Sequence, residues 1–587
     1  MQRRYLVGVG GLILLAPFVL LLAGATSGFA DDDPKPAAPA AEATAPAPPA
    51  AVATPSPAAP DPAPIGPAPA PDPTGAGYAG AGVSTTGVLT KVDGKVNDLT
   101  KLQDLKVTKV SLNLLWAMIA GFLVMFMQAG FAFLETGLCR AKNCAHTMAM
   151  NFMIYGIGLL GFWACGFAFQ MGGVGALGYW DGPDILNQMA KFTLFGHEFK
   201  VLGLKGFFLA GQSNDITVMA MFLFQMVFMD TAATIPTGAM AERWKMSSFF
   251  VYGFFMSMIL YPVYACWVWG GGWLSQLGVN FGLGNGHVDF AGSSVVHMTG
   301  GVTALAGAWI LGPRIGKFNK DGSANAIPGH NIAYVVMGTL ILAFGWFGFN
   351  AGSTLAATDN RFVAIAVNTM LASAAGSVVS VLYMWARYGK PDPTMGCNGL
   401  LAGLVAITAP CAFVNTVGAV CIGAIAGVLV IWGVLFVERV LKVDDPVGAV
   451  AVHGINGAFG CLAIGLFADG VYGMGWNGVA DKAPLGLFYG GGVSQLLAQL
   501  VGVVTNFLWV FPASLTFFWL VGKTIGNRTT AKAEIEGLDI HEMGVEGYAH
   551  EETRAVELAG AEHIASYGHG VPSPSAGERQ GAYSGKS

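Results

Sequence analysis

The chain has 587 residues, of which 54% are hydrophobic and 11% charged, with a formal net charge of −5. Soluble domains carry about 25% charged residues. Charge this sparse, concentrated in loops and the C-terminal tail, indicates repeated passage through lipid, where an isolated charge costs several kcal/mol. The acidic balance and lack of a basic domain argue against nucleic-acid binding. The 83 glycines suit closely packed membrane helices. The eight cysteines form no CxxC pair and read as small apolar fillers, not as a disulfide framework or zinc site.

Residues 1–30 have the form of a secretory signal peptide. Arg3 and Arg4 come first, an apolar run from Leu12 to Leu22 follows, and Gly28 and Ala30 precede Asp31. An uncleaved anchor is the alternative, and either places the next residues outside the cytoplasm. Residues 31–108 hold a Pro/Ala-rich spacer and a short N-terminal segment with no capacity for a core. A membrane domain is expected over residues 109–522 and a cytoplasmic tail over 523–587, Gly/Ser/Pro-rich and disordered at its end.

Within the membrane domain the apolar periodicity predicts an all-α polytopic protein of eleven spans. These centre near residues 123, 159, 228, 260, 301, 342, 375, 407, 427, 457 and 504. The eighth and tenth are interrupted by Pro410 and His453, and Pro512 is expected to kink the last, long helix. Basic residues follow the odd-numbered spans: Arg140, Arg243, Arg314, Arg387, Arg439 and Lys523 are examples. The loop after the second span, with Lys191, Lys200 and Lys205, is the exception. The positive-inside rule therefore places the N-terminus outside and the C-terminus in the cytoplasm. His297 and His453 lie in similar settings five spans apart, each followed by glycine. Five is odd, so the halves have opposite topology, an inverted five-helix repeat plus a final helix.

Those two histidines are the sharpest candidates for chemistry. An ionisable group inside a membrane helix is functional by default, and neutral imidazole both donates and accepts. Phe224 and Phe228 share one face of the third span, and Phe349 lies on the sixth; such rings serve either as core or as a constriction excluding hydrated ions. Trp269 ends the fourth span and is either a cation-receiving face or part of an interfacial belt. Asp289 opens the fifth span as a helix cap or as an orienter of that reception site. Asp230 lies deeper in the third span as a buried structural pairing or an ion relay, and Glu135 ends the first span near the cytoplasm as a structural anchor for the neighbouring loop. No nucleophile–base–orienter set or metal cluster is visible, so an enzyme is not expected.

Four stretches resemble the Amt/Mep/Rh ammonium-transporter family, in its Amt branch. They are Asp289-Phe-Ala-Gly-Ser-Ser-Val-Val-His297, Gly238-Ala-Met-Ala-Glu-Arg243, Trp346-Phe-Gly-Phe-Asn-Ala-Gly-Ser353, and Asp444-Asp-Pro through Val452-His-Gly454. The resemblance covers residues 111–548. It implies that His297 and His453 line the pore as a proton relay. Phe228 and Phe349 would form a stacked gate, with Phe224 the second candidate for the first ring. Trp269 and Ser353, with Phe228, would bind external ammonium, with Trp346 nearby and Asp289 beneath. It further implies homotrimers with one pore per subunit, no cofactor, and a tail able to meet a PII-type regulatory protein. The substrate is then ammonium or ammonia crossing the cytoplasmic membrane. The alternatives are an ammonium sensor with little transport, or a channel for another small solute such as methylammonium or carbon dioxide.

Overall fold

A computed structural model describes residues 99–548, with side chains from Leu105 onward. The signal-peptide and spacer readings, and the disordered end of the tail, lie outside the described residues.

Among the described residues, ten helices are long and apolar enough to cross a membrane. They are α1 (Leu99–Leu138), α2 (Ala141–Met171), α3 (Ile216–Met240), α4 (Met246–Val268), α5 (Ser293–Leu311), α6 (Ile332–Thr354), α7 (Arg361–Tyr388), α9 (Thr416–Val440), α10 (Val450–Phe467) and α11 (Ser494–Thr524). An eleventh apolar helix, α8 (Pro393–Thr408), has 16 residues. Its midpoint lies N-terminal to the expected centre at 407. The Asp392 side chain caps its start and Pro393 occupies its first turn. The chain turns at Ala409, just before Pro410, which cannot continue a helix. Helix α11 runs unbroken through Pro512.

Small residues set the packing. Helix α1 lies along α6, and a methyl group at Gly130 would meet the Gly338 carbonyl oxygen at 2.9 Å. Helices α3 and α5 form the centre, with 78% and 83% of their apolar windows buried, whereas α1, α7 and α11 are 33%, 33% and 28% buried. Their outward faces carry exposed apolar side chains such as Phe126, Trp385 and Leu508, suited to lipid.

The loop between α2 and α3 departs from a plain connection. It contains a β-hairpin, β1 (Met189–Leu194) and β2 (His197–Gly203), with Phe192 stacked on Phe199 and Lys191 paired with Glu198. Trp267 donates to the Val201 carbonyl and Trp273 packs on Phe199, so both tryptophans seat this hairpin.

At the opposite end, charges are buried in pairs. The Arg314 guanidinium bonds both Asp444 oxygens at 2.8 and 3.0 Å and reaches Glu242, which also takes Arg140. Burial alone would lower Arg314, but the Asp444 hydrogen bonds and the charges of Asp444 and Glu242 raise it above the usual arginine range. Burial likewise pushes Asp444 up, and the Arg243 charge and Arg314 bonds hold it well below the usual carboxylate range. The tail folds back onto this end: Asp539 accepts from the His146 N–H, and Glu534 accepts from the Ile315 N–H and from Arg528.

Candidate functional site

The site is built where α5 and α10 begin. Asp289 accepts five hydrogen bonds, from the N–H groups of Gly292, Ser293, Ser294 and Val295 and from the Ser294 hydroxyl, at 2.7–3.0 Å. It thereby satisfies the open donors of the α5 start. Asp445 does the same at α10, accepting from Gly448 and Val450 at 3.0 and 2.8 Å. Gly292 and Gly448 sit at φ 118° and 82°, a conformation that favours glycine. Each helix opens with a π-helical turn that contains its histidine. Aspartate, left-handed glycine and histidine thus follow one spacing in both places.

The two helices touch through glycine. A methyl group at Gly301 would lie 2.1 Å from the Gly454 nitrogen, and one at Gly457 would lie 2.5 Å from the Ser293 oxygen. This approach brings His297 Nδ1 to 3.2 Å from His453 Nδ1, with ring centroids 5.3 Å apart. One imidazole donates and the other accepts.

Aromatic rings continue the line. His297 stacks on Phe349 and on Trp346, each at 5.2 Å. Phe349 packs on Phe228 at 4.2 Å, and Phe224 stands beside Phe228 at 4.7 Å. Trp269 meets the Phe228 ring edge-on at 6.0 Å. Beyond Phe228 the stack opens into a vestibule lined by Phe228, Trp269, Ser353, Gln225, Phe290 and Trp476 among others. Trp269 is held by its Nε1–H bond to the Asp289 carbonyl at 2.7 Å. Ser353 donates to the Phe349 carbonyl at 2.6 Å, which leaves its oxygen as an acceptor for an N–H donor. On the other side of the histidines a small cavity is lined by His453, Phe131, Glu135 and Asn398, with apolar neighbours.

The structure therefore gathers His297, His453, Phe228, Phe349, Trp269 and Ser353 along one line. Phe224 flanks it. Trp346 is buried beside His297, with its Nε1–H on Thr408, and does not line the vestibule. Asp289 does not line it either and reaches it through Trp269. Sequence reasoning passed over Phe131, whose ring lies 6.1 Å from that of His453, and Trp476, which faces Phe290 at 5.9 Å. A glycine-flanked tryptophan loop was the only signal for Trp476. Asp230 is buried and its Oδ1 has no hydrogen-bond partner among the described residues. His287, Asp289 and Cys461 place ligand atoms within 4.8 Å of one another. They suit a metal poorly, because Asp289 spends both oxygens on the helix start and His287 is bonded to Ser294 at 2.9 Å. Burial pushes His287 down to about 4, against the charge of Asp289.

A closed path of rings and imidazoles through a bundle of apolar helices, with an open vestibule at one end and a cavity at the other, is the arrangement of a membrane transporter. Residues 115–548 match the Ammonium Transporter Family. Ammonium transporter Amt2 of Archaeoglobus fulgidus is 46% identical over 444 residues, covering 75% of this chain and 89% of the relative. Ammonium transporter Amt1 of Haloferax mediterranei is 36% identical over 457 residues, covering 76% and 81%. Among solved structures, the Sensor Amt Protein superposes with a TM-score of 0.64 at 35% identity over 74% of this chain and 99% of that one. Mep2 of Saccharomyces cerevisiae gives 0.58 at 25% identity over 72% and 88%. The chain belongs to the ammonium transporter family.

Proposed function

We propose that this protein moves ammonium or ammonia across the cytoplasmic membrane through a hydrophobic path inside each subunit. The observation that carries the reading is the unbroken stack Trp269–Phe228–Phe349–His297–His453. Ammonium is recruited in the vestibule by the faces of Trp269 and Phe228 and by the Ser353 oxygen, with Asp289 holding Trp269 in place. The closed rings of Phe228 and Phe349, with Phe224 behind, admit no hydrated ion. The substrate therefore gives up water and a proton before ammonia passes the imidazole pair, which carries protons between its nitrogens. Trp346 fixes the His297 ring by stacking. No cofactor is required.

The architecture we assign is eleven spans, α1 to α11, in an inverted five-helix repeat plus α11, with the matched Asp–Gly–His starts of α5 and α10 as its internal correspondence. The tail packs at the end bearing the basic loops, which supports a cytoplasmic C-terminus and an N-terminus outside behind a signal peptide. We further assign a homotrimer and a tail open to a PII-type partner.

Recording current and internal pH together in proteoliposomes after an ammonium pulse tests the function, with potassium as control. A selective current indicates charge-coupled transport, and a pH change without current indicates net ammonia conduction. Neither signal, with ammonium still bound, replaces transport by sensing, the role for which the Sensor Amt Protein is named.

A further inference from the structure

The two ends of the path differ chemically. Among the residues lining the Trp269 vestibule there is no carboxylate. The cavity beyond His453 has one, Glu135, in a space with room for about one water-sized molecule that it shares with Phe131, Asn398 and His453. Glu135 is 2% exposed and comes from the last turn of α1. Its Oε2 accepts from Asn151 of α2 at 2.8 Å and from Thr237 of α3 at 2.7 Å. The single Thr237 hydroxyl proton is also directed at the Thr234 carbonyl, at 2.6 Å, so a protonated Oε2 can itself donate to the Thr237 oxygen; Oε1 lies beside Gly238. Asn398 donates its amide to the Val447 carbonyl at 3.2 Å, so its own oxygen is an acceptor. The site thus offers a carboxyl, an amide oxygen and the Phe131 ring within one space, next to the final imidazole.

We propose that Glu135 is a second substrate site, at which ammonia leaving His453 is converted back to ammonium. The proposal rests on the transport reading above. The Glu135 carboxyl gives its proton to the ammonia lone pair, forming ammonium against the carboxylate; ammonium leaves to the aqueous phase, and the carboxylate takes up one proton from that phase, so one aqueous proton is consumed per ammonia delivered. In the opposite direction each step reverses. Charge neutrality of the buried site is kept throughout the transfer, because acid plus base becomes an ion pair. The titratable groups acting on Glu135 are Asp445 at the α10 start, Tyr252 of α4, Cys139 beyond α1 and His453 across the cavity.

The test uses the full chain in proteoliposomes. Infrared difference spectra, ammonium minus potassium, should lose a protonated-carboxyl band in the wild type and in Glu135→Asp but not in Glu135→Gln. Maximal transport should fall about tenfold or more in Glu135→Gln, with half-saturation on the vestibule side unchanged. Should that variant not fold, Thr237→Val, which removes one hydrogen-bond partner of Oε2, should shift the band. The same ammonium-dependent loss of the band in Glu135→Gln, or a band unmoved by Thr237→Val, overturns the proposal, as do equal rates in wild type and Glu135→Gln. A wild type that moves no ammonium instead overturns the transport reading.

Discussion

His297 Nδ1 and His453 Nδ1 face each other at 3.2 Å, so the pair shares a single proton between the two facing nitrogens. His297 Nε2 finds no partner among the described residues. The pair is thus polar along the path and apolar around it, with Phe349 and Trp346 stacked on His297 and Phe131 near His453. His297→Ala should leave the fold intact and lower transport about a hundredfold, the range of a lost positioned proton-transfer group. Uptake measured in proteoliposomes checks this, and normal selective uptake by the folded variant would remove the histidine from the mechanism.

Trp269 stands ahead of the Phe228–Phe349 ring pair, on the vestibule side. Its ring contacts Phe228 and lines the vestibule, while its N–H is tied to the Asp289 carbonyl. An exposed cation–π contact contributes about 1 kcal/mol, so Trp269→Leu should raise the half-saturation concentration about fivefold. Maximal rate should change little, because Phe349 and the histidines are untouched. A concentration series for wild type and variant separates the two quantities, and unchanged uptake at low substrate would place Trp269 in the interfacial belt instead.

Much of this site is legible in the sequence, for definite reasons. A lone histidine in an apolar helix has few structural explanations, so His297 and His453 stand out. Phe228 and Phe349 read equally as core or constriction until the family resemblance singles them out of 38 phenylalanines. Phe131 carries no signal for the same reason. The spacing Asp289–Gly292–His297 recurs as Asp445–Gly448–His453 in the sequence, but its meaning depends on backbone geometry: capping oxygens and positive φ. The β-hairpin over residues 189–203 is hidden because its lysines read as topology signals and not as strand positions. Trp346 falls with the vestibule residues in the sequence because it precedes Ser353 in one motif, yet the helix turns it towards His297.

The caps themselves should be strong. Asp289→Ala removes the acceptor for five donors inside the bundle and should cost about 2 kcal/mol or more, the upper range for a lost helix cap. Asp289→Asn keeps an acceptor and should cost less. Thermal unfolding in detergent ranks the two, and equal midpoints for Ala and wild type would deny the cap any structural role.

The Arg314–Asp444 pair predicts a pH dependence at the opposite end. Both groups are buried, and removing one partner of such a pair leaves a buried charge at a cost of about 3–5 kcal/mol. Arg314→Met should therefore destabilise far more than Arg314→Met combined with Asp444→Leu, which removes both charges. The native state holds Asp444 below its unfolded value of about 3.9. Its stabilisation is accordingly complete above that value and is lost as pH falls through it towards the depressed native value. Unfolding midpoints followed from pH 7 downward should fall less steeply in Asp444→Asn than in the wild type. Parallel curves would mean that this carboxylate carries the same charge folded and unfolded, and that the acid limb belongs to other groups.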